Sequence, residues 1–227
     1  MSAGADVEVV RHPRARRMKL AFDPANGRVR LVLPTRAKLA AGLAWVEQHR
    51  DWIAEQRAKL PAGRPFVPGA AVPIGDVDVM LAWDEAGPRS PRRVDGQLIV
   101  GGPREGFEAR VQRWLRREAL RMLSQETADY AAKAGVTVTA VGVGDTRSRW
   151  GSCASSGAIR YSWRLILAPA AVRRATVAHE VAHRVHMNHS PAFHALVAQL
   201  YGRDPTPERR WLKTNGATLH WYGRGAS

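Results

Sequence analysis

Hydrophobic and polar residues alternate along three short stretches near the start of the chain, which is the pattern of half-buried strands. Turn-forming residues at 23–27 separate the second stretch from the third, so the pattern predicts a β-hairpin within residues 7–34. From 37 to 60 the apolar residues recur at helical spacing, which predicts one long helix. The alternating apolar positions are Val7 and Val9, then Met18, Leu20 and Phe22, then Val29, Leu31 and Leu33.

A second group of short strands precedes a clear break in the chain. Strands are predicted at 77–81 and 97–100, and the sequence Gly101-Gly102-Pro103 then interrupts regular structure. We place a domain boundary at this break. Residues 1–101 would form a β-rich N-terminal region with one long helix, and residues 102–227 a second domain.

The second half of the chain shows one helical pattern, then two strand patterns, then three helical patterns. This grouping of strands apart from helices predicts an α+β fold with a mixed or antiparallel sheet. Ser190 followed by Pro191 is a typical helix start, with serine at the N-cap and proline at the first helical position. The predicted elements are a helix over 104–134 ended by Gly135, strands over 136–143 and 158–167 around a polar loop at 145–157, and helices from 171, from 191 and over 206–215.

Composition limits the classes of protein that remain. The chain has 227 residues, of which 45% are hydrophobic and 24% charged, as in ordinary globular proteins. Cys153 is the single cysteine, so an internal disulfide framework is excluded and a metal site has to use histidine and carboxylate ligands. No apolar run reaches the roughly 20 residues of a membrane helix, and none follows Met1, so we expect a cytoplasmic protein without membrane contact.

The chain carries a formal net charge of +15, which attracts polyanions. Nucleic acid or a nucleotide is therefore a candidate partner beside a protein or peptide substrate. Heavy use of arginine throughout the chain is an equally simple explanation of the charge, and the oligomeric state is not indicated by any pattern.

The strongest chemical signal is the sequence His179-Glu180-Val181-Ala182-His183. Histidines four residues apart project from the same face of a helix and can bind one zinc ion. Glu180 lies beside the pair, where its carboxylate can take a proton from an activated water. This His-Glu-x-x-His pattern is typical of the zinc helix of metalloproteases.

A catalytic zinc site needs a third protein ligand, and His189 is the best candidate. Asn188 favours a turn there, which would return His189 toward the pair. Glu208 is the main alternative, because residues 205–208 could open a helix that faces the site. His186 and His194 are weaker alternatives; His186 would lie about 10 Å further along a straight helix than His179.

Several linked motifs resemble the YgjP-like family of predicted zinc metallopeptidases, which is related to SprT-like and WLM zincins. These motifs, in chain order, are 149–153 (Arg-Trp-Gly-Ser-Cys), 163–169 (Trp-Arg-Leu-Ile-Leu-Ala-Pro), 179–183 and 188–193 (Asn-His-Ser-Pro-Ala-Phe). The resemblance covers roughly residues 8–222. It implies a minimal zincin-like domain, His179, His183 and His189 as ligands of one Zn2+ per chain, and Glu180 as general base. His194 departs from the pattern, since relatives commonly carry tryptophan there.

The main hypothesis is a zinc-dependent peptidase. Arg149, Arg164 and Tyr161 are candidates for stabilising the oxyanion, and the strand over 158–167 would be the edge strand that pairs with an extended peptide. Cys153 is expected to be a small buried residue. The alternatives are a metal-dependent nucleotide or phosphoanhydride hydrolase and a SprT-like protease directed to DNA by the basic surface.

Overall fold

The computed structural model describes residues 7–88 and 90–225, which form two compact units, residues 7–62 and residues 63–225. Helices and mixed sheets occur in the described chain, so the predicted α+β class is confirmed. Within the described ranges no helix is both long enough and apolar enough to cross a membrane.

Unit 1 is a three-stranded sheet followed by two helices. Its sheet has the order β1-β3-β2, in which β2 and β3 form the predicted antiparallel hairpin and β1 runs parallel to β3. Its core is Val29, Leu31 and Leu33 of β3 with Val46 and Ile53 of the helices. The elements are β1 (Val7–Arg11), β2 (Lys19–Asp23), β3 (Arg28–Leu33), α1 (Leu39–Gln48) and α2 (Arg50–Ala58).

The single helix predicted over 37–60 is two helices. The break lies at His49, where the backbone leaves helical geometry (φ −104°, ψ 15°). The Nδ1 atom of His49 is 2.9 Å from the carbonyl oxygen of Trp45. This side-chain contact uses a carbonyl of the last turn of α1, so the helix ends there and restarts as α2.

The described part of unit 2 contains two further sheets and four α-helices. The strands are β4 (Ala71–Ile74), β5 (Val77–Asp84), β6 (Arg92–Val94), β7 (Gln97–Gly101), β8 (Ala140–Gly144), β9 (Gly151–Cys153) and β10 (Ala158–Ser162). The helices are α3 (Phe107–Ala134), α4 (Ala170–Ala182), α5 (Pro191–Tyr201) and α6 (Thr206–Leu219), with a short 3-10 helix at Trp163–Leu167. Gly135 ends α3 as predicted, with a left-handed φ of 64°.

One continuous core joins all of unit 2. It includes Val72 and Leu98 from the sheet β4-β5-β7-β6, Leu115 from α3 and Val177 from α4. The compact units therefore divide after residue 62, and the boundary placed at residue 101 from the sequence falls inside unit 2. The reason is that the strands at 71–101 bury their apolar face in the same core as the helices that follow.

The strand predicted over 158–167 ends at Ser162. The next five residues form a buried 3-10 helix. Four of the five are apolar, so the sequence pattern does not distinguish them from a continuation of the strand. β10 is the central strand of the sheet β8-β10-β9, parallel to β8 and antiparallel to β9. The expectation that it is an edge strand is wrong; β9 holds that position beside α4.

Candidate metal centre

Helix α4 carries the first two histidines on one face. His179 lies in its last turn, and His183 is the residue that follows the helix while keeping helical backbone angles (φ −64°, ψ −16°). The opposite face of the helix is buried through Val177 and Val181. The ring centroids of His179 and His183 are 5.0 Å apart, so the spacing in sequence produces the expected pair in space.

The third histidine returns to this pair through a turn. Nδ1 of His183 donates to the carbonyl oxygen of His186 at 3.0 Å, which leaves Nε2 of His183 free to bind a metal. Nε2 of His189 lies 3.2 Å from Nε2 of His179. The candidate ligand atoms of the three residues all lie within 4.8 Å of one another.

The start of α5 fixes the position of His189. Ser190 is the N-cap, its Oγ accepting from the backbone N–H of Phe193 at 3.3 Å, and Pro191 is the first helical residue, as predicted. Phe193 is fully buried beneath the imidazoles, with its ring centroid 4.5 Å from that of His183 and 4.9 Å from those of His179 and His189. This aromatic floor limits how far the three rings can move.

The local environment keeps the imidazoles of His179 and His183 neutral. Burial, together with the neighbouring His183 and His189, lowers the pKa of His179 to about 4. Burial also lowers the pKa of His183. At neutral pH both rings are therefore uncharged, and a neutral imidazole has the lone pair that a metal ligand needs. The donor set and its protonation fit a borderline-soft divalent ion.

Glu180 lies at the edge of the same cleft with little access to solvent. It is 5% exposed, and burial raises its pKa to about 7, while the positive charge of Arg149 lowers the pKa. Its carboxylate lies against Gly151 of β9. A carboxylate with a pKa near neutrality can both accept and return a proton.

The alternative ligands lie outside this cluster. Among the described residues, His179, His183 and His189 are the group of three that could hold a metal ion. Glu208 is buried in α6 and bonds to the guanidinium of Arg203. His194 stacks on the outer side of His189, with 6.1 Å between ring centroids.

The profile of the family described as YgjP-like, metallopeptidase domain, matches residues 16–215. The chain belongs to the YgjP-like family. The match covers the metal cleft and most of both units, and it confirms the resemblance seen in the sequence. No curated protein and no solved structure matches the chain.

Two of the candidate oxyanion residues serve the fold of this YgjP-like chain. Arg164 is 6% exposed, bonds to Asp145 at 2.9 Å and donates to the carbonyl oxygens of Leu219 and Tyr222. It therefore ties the end of α6 to the loop after β8. Tyr161 is fully buried, and its hydroxyl lies 3.0 Å from Oγ1 of Thr127 in α3.

Arg149 is the candidate that remains at the cleft. It borders the cavity that also contains His179 and Glu180, and its own side chain is exposed. Cys153, expected from the sequence to be a small buried residue, is partly buried against the core and borders the same cavity.

Sequence reasoning missed the roles of Gly151 and Phe193 in positioning the cleft. Both residues belong to motifs that the family resemblance includes, but no spacing rule connects Gly151 to Glu180, 29 positions away in the chain. Met187, which is 56% exposed at the rim, was also missed. These contacts depend on how β9 and the turn after α4 pack together.

Proposed function

We propose that this chain is a zinc-dependent peptidase in which His179, His183 and His189 hold the metal and Glu180 is the general base. The observation that carries the proposal is the close approach of three imidazoles, within 4.8 Å, beside a buried carboxylate. Three histidines with an open position are typical of catalytic zinc sites, whereas structural zinc sites have four protein ligands.

When bound, a zinc ion acts as a Lewis acid that polarises a substrate carbonyl and acidifies a water molecule. The residues of the chain would do the rest. Glu180 would accept the proton of the attacking water and return it to the leaving amine. Its burial supports this role, since the pKa of about 7 is suited to proton transfer in both directions at neutral pH.

Arg149 would stabilise the negative charge that develops on the carbonyl oxygen. It borders the cleft close enough to Glu180 for its charge to act on that carboxylate. Arg164 and Tyr161 are committed to other partners, which favours Arg149 among the three residues first considered.

Strand β9 would bind the substrate backbone. Among the described strands it pairs with β10 alone, and Gly151, Ser152 and Cys153 border the metal cleft. The free side of an edge strand can pair with an extended peptide. This assigns to β9 the role that the sequence had suggested for the strand at 158–167.

The test compares the wild type with Glu180→Gln for zinc content and for hydrolysis of an unfolded protein and of nucleoside triphosphates. Glu105→Gln, an exposed position on unit 2, is the matched control. We expect stoichiometric zinc in all three proteins and proteolysis lost only in Glu180→Gln. If the protein hydrolyses triphosphates and not the unfolded protein, its substrate is a nucleotide and not a peptide. Absence of bound metal would overturn the proposal.

A further inference from the structure

A second cavity opens beside the metal cleft, along the part of α4 that is N-terminal to His179. Its volume is about 180 Å³, and it shares His179, Glu180 and Gly151 with the cavity that contains the three histidines. We call it the apolar pocket. Much of its wall is formed by Trp150, Val172, Ala175, Thr176, Val197 and Leu212.

The walls of the apolar pocket are held in place by the core. Val172, Ala175 and Val197 are 2–4% exposed, so their positions are fixed by packing. Trp150 packs against α6: a Cβ atom at Gly216 would lie 2.8 Å from Cζ2 of Trp150. Its ring is also 5.4 Å from that of His220. The pocket is therefore formed before any ligand arrives, which reduces the entropic cost of binding.

The size and lining of the pocket select the kind of group it can take. A cavity of about 150 Å³ lined by aliphatic and aromatic residues binds benzene, so about 180 Å³ accommodates a phenyl or branched aliphatic group. An anionic group would lose its hydration against these walls without gaining a full set of hydrogen bonds. A phosphate would in addition face Glu208, a buried carboxylate that borders the pocket.

We propose that the apolar pocket is the specificity site for peptide substrates, taking an aliphatic or aromatic side chain of a residue adjacent to the cleaved bond. The proposal rests on the peptidase function above. Because the pocket and the metal cleft share His179 and Glu180, a side chain in the pocket belongs to a residue next to the reacting carbonyl. Arg209, exposed at the border of the pocket, stays in contact with solvent.

The first experiment measures binding and does not depend on activity. We titrate three amides into the full chain: N-acetyl-leucinamide, N-acetyl-phenylalaninamide and the α-amide of N-acetyl-aspartic acid, whose side chain is charged. Binding is followed by NMR through the indole N–H resonance of Trp150, and that resonance is assigned by its absence in Trp150→Phe. We expect saturable shifts with the leucine and phenylalanine amides, and binding of the aspartate amide at least about 10-fold weaker, near the discrimination that one apolar group provides.

Two variants of the pocket and one control complete the design. Ala175→Leu fills the pocket and should weaken binding of both apolar amides about 10-fold or more, whereas Ala109→Leu, the same change at an exposed position of α3, should not. Leu212→Ala enlarges the pocket and should shift preference from leucine toward phenylalanine. This second variant keeps the test valid if Ala175→Leu does not fold.

The second experiment maps the cleavage sites in a mixture of unfolded proteins by mass spectrometry. We expect leucine, phenylalanine or methionine at one position flanking the cut, and a shift toward larger side chains in Leu212→Ala. Saturable amide binding without any cleavage would retain the pocket and overturn the peptidase function. Non-saturable binding of the amides would overturn the pocket proposal. Cleavage with no residue preference on either side of the cut would also overturn it.

Discussion

Gly151 lies directly against Glu180, and a Cβ atom at position 151 would be 2.5 Å from Oε1 of the Glu180 carboxylate. A Cβ atom essentially never comes so close to a non-bonded heavy atom, so a side chain at 151 displaces the carboxylate. The requirement for glycine comes from this contact, because the φ angle of Gly151 is not in the left-handed region. A residue of β9 thus determines where the proposed general base is held.

We expect Gly151→Ala to lower kcat by about 100-fold or more, since a displacement near 1 Å of a catalytic group has that effect. Zinc content should not change, because Gly151 is not among the residues that could hold the metal. The measurement is steady-state hydrolysis of an unfolded protein together with metal analysis.

Gly142→Ala is the control for this prediction. Gly142 lies on β8 of the same sheet. Apart from Gly142 and its chain neighbours, no atom of the residues that the structure describes lies within 4 Å of a Cβ built there. We expect wild-type kcat and stability for this variant. Equal loss of activity in both variants would show that the sheet as a whole, and not the contact with Glu180, responds to the substitution.

His189→Ala should abolish stoichiometric zinc binding while the fold persists. Loss of an outer partner of a metal ligand weakens affinity by about 10–100-fold, and loss of a ligand itself should exceed that. His194→Ala, which removes the ring stacked on His189, should retain the metal. Zinc content after dialysis against a weak chelator separates the two, and full retention by His189→Ala would remove His189 from the ligand set.

Arg149→Ala should lower kcat by about 100–1,000-fold, the usual effect of removing one oxyanion donor, with zinc content unchanged. Arg147→Ala removes an exposed charge two residues away and should leave kcat nearly unaltered. A KM effect without a kcat effect in Arg149→Ala would assign this arginine to ground-state binding of the substrate.

Arg164→Met should act on stability and leave the metal in place. It removes the bond to Asp145 and two donations to the carbonyls of Leu219 and Tyr222. Hydrogen bonds of charged groups each contribute about 1.5–3 kcal/mol. Water can replace Arg164 as the partner of Asp145, which offsets part of this loss, so we expect the free energy of unfolding to fall by about 2–3 kcal/mol. For a protein of this size that is a fall in Tm of about 5–10 °C.

The same ion pair predicts a pH dependence. Burial alone raises the pKa of Asp145, but the hydrogen bond and charge of Arg164 hold it below its ordinary value of 3.8. The folded state then binds fewer protons than the unfolded state, so the contribution is complete above pH 3.8 and lost as the pH falls through the folded-state pKa. The Tm difference between wild type and Arg164→Met should narrow below pH 3.8, as thermal melts at pH 7 and pH 3 would measure.

Local sequence rules predicted the helical histidine pair and the Ser190 cap, because each depends on a few adjacent residues. They also placed His189 near the pair, since a turn after His183 is the simplest route back. The parallel pairing of β1 with β3 and the central position of β10 depend on contacts distant in sequence, which periodicity does not encode. For the same reason the contact between Gly151 and Glu180 emerged only from the structure.

The length of β9 has a consequence for the lifetime of a bound substrate. Its three residues offer only a few free backbone groups, and each hydrogen bond contributes about 1 kcal/mol net. A peptide held this way dissociates quickly unless it is already extended and has no competing partner for its own amides. In folded proteins those amides are already hydrogen-bonded. Under the proposed function the enzyme would therefore cut unfolded segments and leave folded proteins uncut.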